Sequence, residues 1–206
     1  MKKLLSSAVA VLALSAGAAA AADVMSDPVY DWTGFYSGIH ADYASVDGTY
    51  SVPGPVDFDI KDNGARFGTL GGYNFQSDNI VFGLESDSSF GTLKDTNLAI
   101  DSFKIGLEAT ARGRVGVTFD RLLPFVTAGV ALANATSHGG RLGKDSNYHL
   151  GFVVGGGLEY AATDHLRLRG EYLFESFGKE TYNLGGRLDR AKWDQQTLRA
   201  AVIWAW

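Results

Sequence analysis

With 206 residues the chain is long enough for one domain with a sizeable core, and 26 glycines against 4 prolines suit many strands rather than Pro-rich linkers. It contains no cysteine, which excludes disulfides, thiol catalysis and Cys-based metal sites. The formal charge of −5 argues against nucleic acid as a partner.

The N-terminus reads as a secretory signal over residues 1–22. Lys2 and Lys3 supply the positive region, Leu4 to Leu14 the apolar core, and AGAAAAAD the small residues for cleavage near Ala22–Asp23. The apolar core is too short to span a bilayer comfortably. Cleavage would remove both lysines and no acid, taking the formal charge from −5 to −7 and leaving one domain over 23–206. No later segment approaches about 18 consecutive apolar residues. An exported chain without a spanning helix is either soluble or a β-barrel.

A short acidic lead, DVMSDPVYD, ends at Trp32, and alternation then recurs eight times. The first predicted strand, Thr33–Ala44, sets Phe35, Ile39, Ala41 and Tyr43 against Tyr36, His40 and Asp42. The second, Ala65–Gln76, sets Phe67, Tyr73 and Phe75 against Arg66, and the third, Ile80–Phe90, sets Phe82 and Leu84 against Glu85 and Asp87. The fourth, Phe103–Phe119, carries no charge on any odd position, while Lys104, Glu108, Arg112 and Arg114 share the even face. At about 3.3 Å per residue it reaches about 56 Å, or about 40 Å along the normal when tilted, so it should project beyond a membrane. The fifth, Pro124–Ala133, and the sixth, Tyr148–Tyr160, continue the pattern, with Glu159 opposite Leu158 and Tyr160. In the seventh, Leu166–Phe174, Leu168, Tyr172 and Phe174 oppose Arg167, Arg169 and Glu171. The eighth, Leu198–Trp206, sets Val202, Trp204 and Trp206 against Arg199.

The connections alternate long and short, with about twenty residues before the second strand and only Ser77–Asn79 after it. That rhythm belongs to an up-and-down transmembrane barrel rather than a Greek-key sandwich. Aromatic placement agrees. Phe35, Tyr73, Phe75, Phe82, Phe119, Phe125, Tyr160, Trp204 and Trp206 fall near the inner rim, and Tyr43, Phe67, Phe90, Phe103, Tyr148 and Phe174 near the outer one. Barrels carry such a girdle at each interface, where amphipathic rings are favoured. The fold expected is all-β, an eight-stranded antiparallel up-and-down transmembrane β-barrel with its apolar face to lipid.

The polar face then lines the lumen: Arg66, Glu85, Asp87, Lys104, Glu108, Arg112, Arg114, Glu159, Arg167, Arg169, Glu171 and Arg199, with Asp42. Eight strands enclose a space only wide enough for side chains, and charges confined there must pair. The expected function is therefore structural, a closed ion-paired plug; the alternative is a selective pore. Glu85 and Asp87 are spaced for acid–base work, but the arginines make a structural network the better reading, and no catalytic residue is assigned. The four histidines lack metal-ligand spacing, and no metal or cofactor is assigned. Basic residues of the predicted loops (His138, Arg141, Lys144, Arg187, Arg190, Lys192, with Tyr182 and Trp193) could hold lipopolysaccharide phosphates. His or Tyr there could serve a haem-type ligand.

DWTGFYSG (Asp31–Gly38), GGYNFQ (Gly71–Gln76), RGRVG (Arg112–Gly116), PFVTAGVA (Pro124–Ala131) and GFVVGGGLEYAATDHLRLRGEYLF (Gly151–Phe174) resemble the porin-family, OmpA-like small outer-membrane proteins of alphaproteobacteria. The resemblance covers nearly all of the chain after residue 22. It implies an eight-stranded outer-membrane barrel that supports envelope integrity, with haemin binding or weak pore activity among some relatives. It also implies assembly through the C-terminal strand, read by the barrel-assembly machinery. Family members end in Tyr-x-Phe; this chain ends Trp204-Ala205-Trp206, which keeps the aromatic spacing.

Overall fold

A computed structural model of the chain describes residues 30–54, 57–91, 93–95, 102–138 and 143–206, without the side chains of residues 94, 95, 102 and 103. The segment expected to be a signal, residues 1–22, lies outside them, as do the side chain of Phe103 and the whole of Arg141. Nine strands form one sheet: β1 (Gly34–Ser51), β2 (Asp57–Ser77), β3 (Ile80–Phe90), β4 (Leu93–Asp95), β5 (Ser102–Val117), β6 (Leu122–His138), β7 (Lys144–Ala161), β8 (Leu166–Leu184) and β9 (Arg187–Ala205). Both β3 and the short β4 pair antiparallel with β5, so together they make one stave of an eight-stave ring. Antiparallel pairing of β1 with β9 closes it. Among the described residues no sheet edge runs the length of the ring, as a barrel in lipid requires.

The connections at one end are short: Asp78–Asn79, residues 118–121 and residues 162–165. Asp78 and Asp120 take positive φ there (53° and 55°), a conformation that Asp tolerates better than most residues. Both chain ends of the ring also lie at this end, the periplasmic one in such barrels. Trp206 N–H donates to Phe35 O at 3.2 Å, tying the last residue to the first strand.

At the opposite end the strands run further than alternation in the sequence suggests. β8 reaches Leu184 rather than Phe174, and β9 starts at Arg187 rather than Leu198. What reads as a long loop is a hairpin closed by Gly185 and Gly186, whose φ values of 59° and 93° suit a two-residue turn that follows strand twist. β1 and β2 likewise extend to Ser51 and back to Asp57. The 19 residues of β9 would span about 63 Å flat, roughly 45 Å when tilted, against an apolar band about 25 Å tall.

Polarity inverts where the band ends, which hid the extension from the sequence pattern. In the lower part of β9, Leu198, Val202 and Trp204 face out while Thr197 and Arg199 face in. Higher up, Arg190, Lys192 and Asp194 face out while Ala191 and Trp193 are buried. The upper barrel is built like a soluble one, around Val46, Tyr50, Ile60, Ile105, Phe177, Tyr182 and Trp193.

Of the aromatics expected to face lipid, Phe35, Tyr43, Phe67, Tyr73, Phe75, Phe82, Phe90, Phe119, Tyr148, Tyr160, Trp204 and Trp206 are exposed on the outer wall, and Phe174 is half-buried against Phe152. Two positions depart from expectation. Phe125, expected at the inner rim facing lipid, points into the lumen at 6% exposure because it shares the parity of Thr127. Lys104, expected in the lumen, is exposed and Ile105 is buried in its place. The register of β5 against β6 shifts between Ile105 and Glu108, a bulge that swaps the two faces of β5 above that point.

Candidate functional site

The lumen is filled in tiers. At the periplasmic mouth the segment before β1, which has no strand pattern of its own, folds under the ring. Trp32 is fully buried, and its indole N–H lies 2.8 Å from Thr118 Oγ1 and 3.0 Å from Asp120 O as a shared donor. Its backbone N–H donates to Gln76 Oε1 at 2.9 Å, and Tyr30 N–H donates to Asp120 Oδ1 at 3.1 Å. The Arg167 guanidinium lies 4.7 Å from the Trp32 ring and 5.3 Å from that of Tyr30, and its Nε donates to Tyr30 OH at 2.8 Å. With Val81, Leu123 and Ala161 these rings form a stopper.

Above it, Arg114 and Arg169 both donate to Glu159 Oε2 at 2.9 Å, and Arg169 also reaches Glu85 at 2.6 Å. Tyr36 OH donates to Glu85 at 2.8 Å; a side chain on Gly72 would stand 2.5 Å from that hydroxyl, so the phenol needs a glycine there. Arg114 stacks 4.1 Å from the centroid of Phe125. In the next tier Arg112 donates to Glu85 at 2.6 Å, Glu171 at 2.7 Å and Asp87 at 3.0 Å. Arg199 joins Asp42 at 2.9 Å to Asp87 at 3.0 Å, and His40 Nδ1 lies 2.8 Å from Asp42. Higher still, Arg66 donates to Glu108 at 3.0 Å, and the Gln195 amide bridges Glu108 and Glu175.

Of the twelve side chains expected to form the lumen network, eleven face the interior, none more than 6% exposed, and Lys104 does not. Glu85 and Asp87 are each tied to arginines, so neither is free for acid–base work. Asp42, read from the sequence as facing in, joins them. Sequence reading missed Glu175, because the seventh strand was expected to end one residue earlier, and missed Tyr30 and Trp32, which carry no alternation. A signal for the last pair did exist: two large aromatics in a polar lead.

Some partners face each other on paired strands, as Arg112 and Glu85, Asp42 and Arg199, and Glu159 and Arg169 do, and others sit on non-adjacent staves. Arg112 of β5 meets Glu171 of β8, and Arg199 of β9 meets Asp87 of β3. Such pairs bridge the ring as cross-struts. Taking so many charges out of water is costly, and close pairing offsets that cost without leaving much net stabilisation, since buried atoms such as Arg66 Nε and Arg112 Nε make no hydrogen bond. Side chains thus cross the bore at each tier from Trp32 to Arg66.

Of the residues expected in external loops, Tyr182 and Trp193 are buried inside the upper barrel and Arg187 bonds to Asp189 two residues along the same strand; His138, Lys144, Arg190 and Lys192 are exposed on its outer wall. His149 is buried beside Tyr182 and Trp193. Its Nε2 lies 2.6 Å from Tyr182 OH and its Nδ1 3.0 Å from Gly178 O, so both ring nitrogens are engaged. That leaves the cluster without a nitrogen for haem iron. Among the described residues there is no cluster of three or more metal-ligating side chains.

A closed ring of eight antiparallel staves, apolar outside across one band, aromatic at both rims and charged within, defines a bacterial outer-membrane β-barrel. The chain belongs to the family described as "Outer membrane protein beta-barrel domain", whose model matches residues 6–204. It is 32% identical over 175 residues to the 25 kDa outer-membrane immunogenic protein of Brucella abortus, covering 85% of this chain and 79% of that one. It is 26% identical, also over 175 residues, to a 22 kDa outer membrane protein of Rhizobium leguminosarum, covering 85% and 78%. Among solved structures, Neisserial surface protein A (NspA) shares the fold with a TM-score of 0.54 at 20% identity, over 84% of this chain and 98% of that one. These sequence relatives are named as outer-membrane proteins, not as enzymes, and the outer membrane is where this protein resides.

Proposed function

We propose that the protein is a structural, non-conducting component of the outer membrane, whose interior is an ion-paired strut rather than a channel. The observation that carries this reading is the Arg112 fork. One guanidinium grips two carboxylates of the neighbouring β3 and, across the bore, one of β8, with Trp32 and Arg167 at the mouth below. Its role is to hold the envelope through the barrel itself, with lipid and lipopolysaccharide as partners of the outer wall and assembly through the β9 strand ending in Trp206. The test is single-channel recording on refolded protein in planar bilayers. Baseline current is expected. Steady conductance that disappears when Arg112 and Arg114 are neutralised would instead establish a small porin, and a spectral shift on haem titration would establish a ligand receptor.

A further inference from the structure

Charge on the outer wall above the apolar band is unevenly distributed around the ring. Over β8, β9, β1 and β2, exposed acids and bases are mixed: Glu180, Asp194, Asp47 and Asp59 lie among Lys179, Lys192 and Lys61. Over β5, β6 and β7 the exposed Lys, Arg, His, Asp and Glu side chains among the described residues are Lys104, His138 and Lys144, all basic, with Asp145 half-buried.

Register brings these together. Lys104 stands opposite Thr136, and Thr136 opposite Ser146, their hydroxyls 2.9 Å apart. One row higher, His138 stands opposite Lys144. On the far side of Lys104, Lys94 occupies the register position of β4. Among the described side chains Asp145, next to Lys144, belongs to the alternate face of β7, and its oxygens accept N–H bonds from Ser146 and Asn183 at 2.9 and 2.8 Å. Directly below, the same staves expose Leu107, Leu132, Tyr148, Leu150 and Phe152. The bulge that turns Lys104 out of the lumen is what places a cation in this row.

We propose that the outer wall of β5–β7 is a docking site for a phosphate-bearing lipid headgroup of the outer leaflet. Lys104 and Lys144 take the phosphate, with His138 beside them and Thr136 and Ser146 offering hydroxyls. The acyl chains lie along Leu132, Leu150 and Phe152. Two features commit the site to a lipid rather than to free phosphate: the charges sit at the height where the apolar band ends, and the band continues unbroken beneath them. Ammonium groups with adjacent hydroxyls match phosphate oxygens through charge-assisted hydrogen bonds. The inference deepens the lipid partnership proposed above and is independent of whether the lumen conducts.

The experiment uses the full chain refolded in phosphatidylcholine vesicles containing a minority of phosphatidic acid, whose headgroup is a phosphate monoester. Lipid retained after gentle detergent extraction is read by native mass spectrometry, with heat-modifiable migration confirming folding. The wild type is expected to retain phosphatidic acid in preference to phosphatidylcholine. Lys104→Gln with Lys144→Gln is expected to lose that preference by roughly 30-fold at low salt, from about fivefold per lysine. Lys104→Arg with Lys144→Arg should keep it, as should Arg190→Gln with Lys192→Gln on the mixed-charge wall. No preference in the wild type, or equal loss from the two Gln pairs, overturns the proposal. Displacement of the retained lipid by millimolar inorganic phosphate alone overturns it in favour of a free-phosphate site.

Discussion

Replacing Arg112 by methionine keeps much of the side chain's volume and removes the charge that joins three carboxylates. The structure indicates which of them suffers. Glu85 keeps Arg169 at 2.6 Å and Tyr36 at 2.8 Å; Asp87 keeps Arg199 at 3.0 Å and the Thr110 hydroxyl. Glu171 keeps only Arg199 at 3.8 Å, beyond hydrogen-bond reach. One buried carboxylate is thus left without a hydrogen-bonded cation, and breaking a buried pair in this way costs about 3–5 kcal/mol, or roughly a 10²- to 10⁴-fold fall in the folding constant. Adding Glu171→Gln removes the stranded charge and should restore all but about 2 kcal/mol, the share of the weakened bonds to Glu85 and Asp87. The assay is urea unfolding in lipid vesicles, with the folded fraction read by heat-modifiable gel migration and tryptophan emission. A loss below about 1 kcal/mol for Arg112→Met, or a double variant no more stable than the single one, would refute the cross-strut account.

The stopper makes a separate prediction. Trp32→Ala removes a fully buried ring together with its cation–π contact to Arg167, so it should destabilise the barrel by about 3–5 kcal/mol and raise proteolysis of the residues before β1. Unchanged proteolysis would show that the segment is held by its backbone bonds alone. In the upper barrel, beyond the membrane, burial pushes the Tyr182 phenol well above its ordinary value, with Tyr50, Asp145 and Glu180 adding to the effect. The folded state therefore holds the phenolic proton more tightly than the unfolded one. Stability from this group is fully present below about pH 10 and falls as pH rises past the unfolded value. The difference between the unfolding midpoints of wild type and Tyr182→Phe should stay constant below about pH 10 and shift against the wild type as pH rises beyond it; a constant difference above about pH 10 would contradict the burial argument.

Strict alternation in Phe103–Phe119, Leu166–Phe174 and Leu198–Trp206 was enough to establish strands with one lipid face and one charged face, because side-chain direction in a strand has a period of two regardless of what lies around it. The aromatic rims were legible for the same reason. Three things were not. The bulge that turns Lys104 outward is a mismatch between two paired strands, which neither strand carries alone. The upper staves escaped notice because polarity inverts when water replaces lipid outside, so Arg190 and Trp193 exchange the roles that Trp204 and Arg199 hold below. Which carboxylate each arginine meets depends on ring closure. Residues as distant as Asp42 and Arg199 become neighbours only when β1 pairs with β9, and Arg112 reaches Glu171 only because eight staves leave so narrow a bore. The sequence by itself determined which side chains face inward along most of each membrane-spanning stave; only the closed tertiary structure decided their partners and the sealing of the mouth by Tyr30 and Trp32, since both depend on contacts across the ring rather than along the chain.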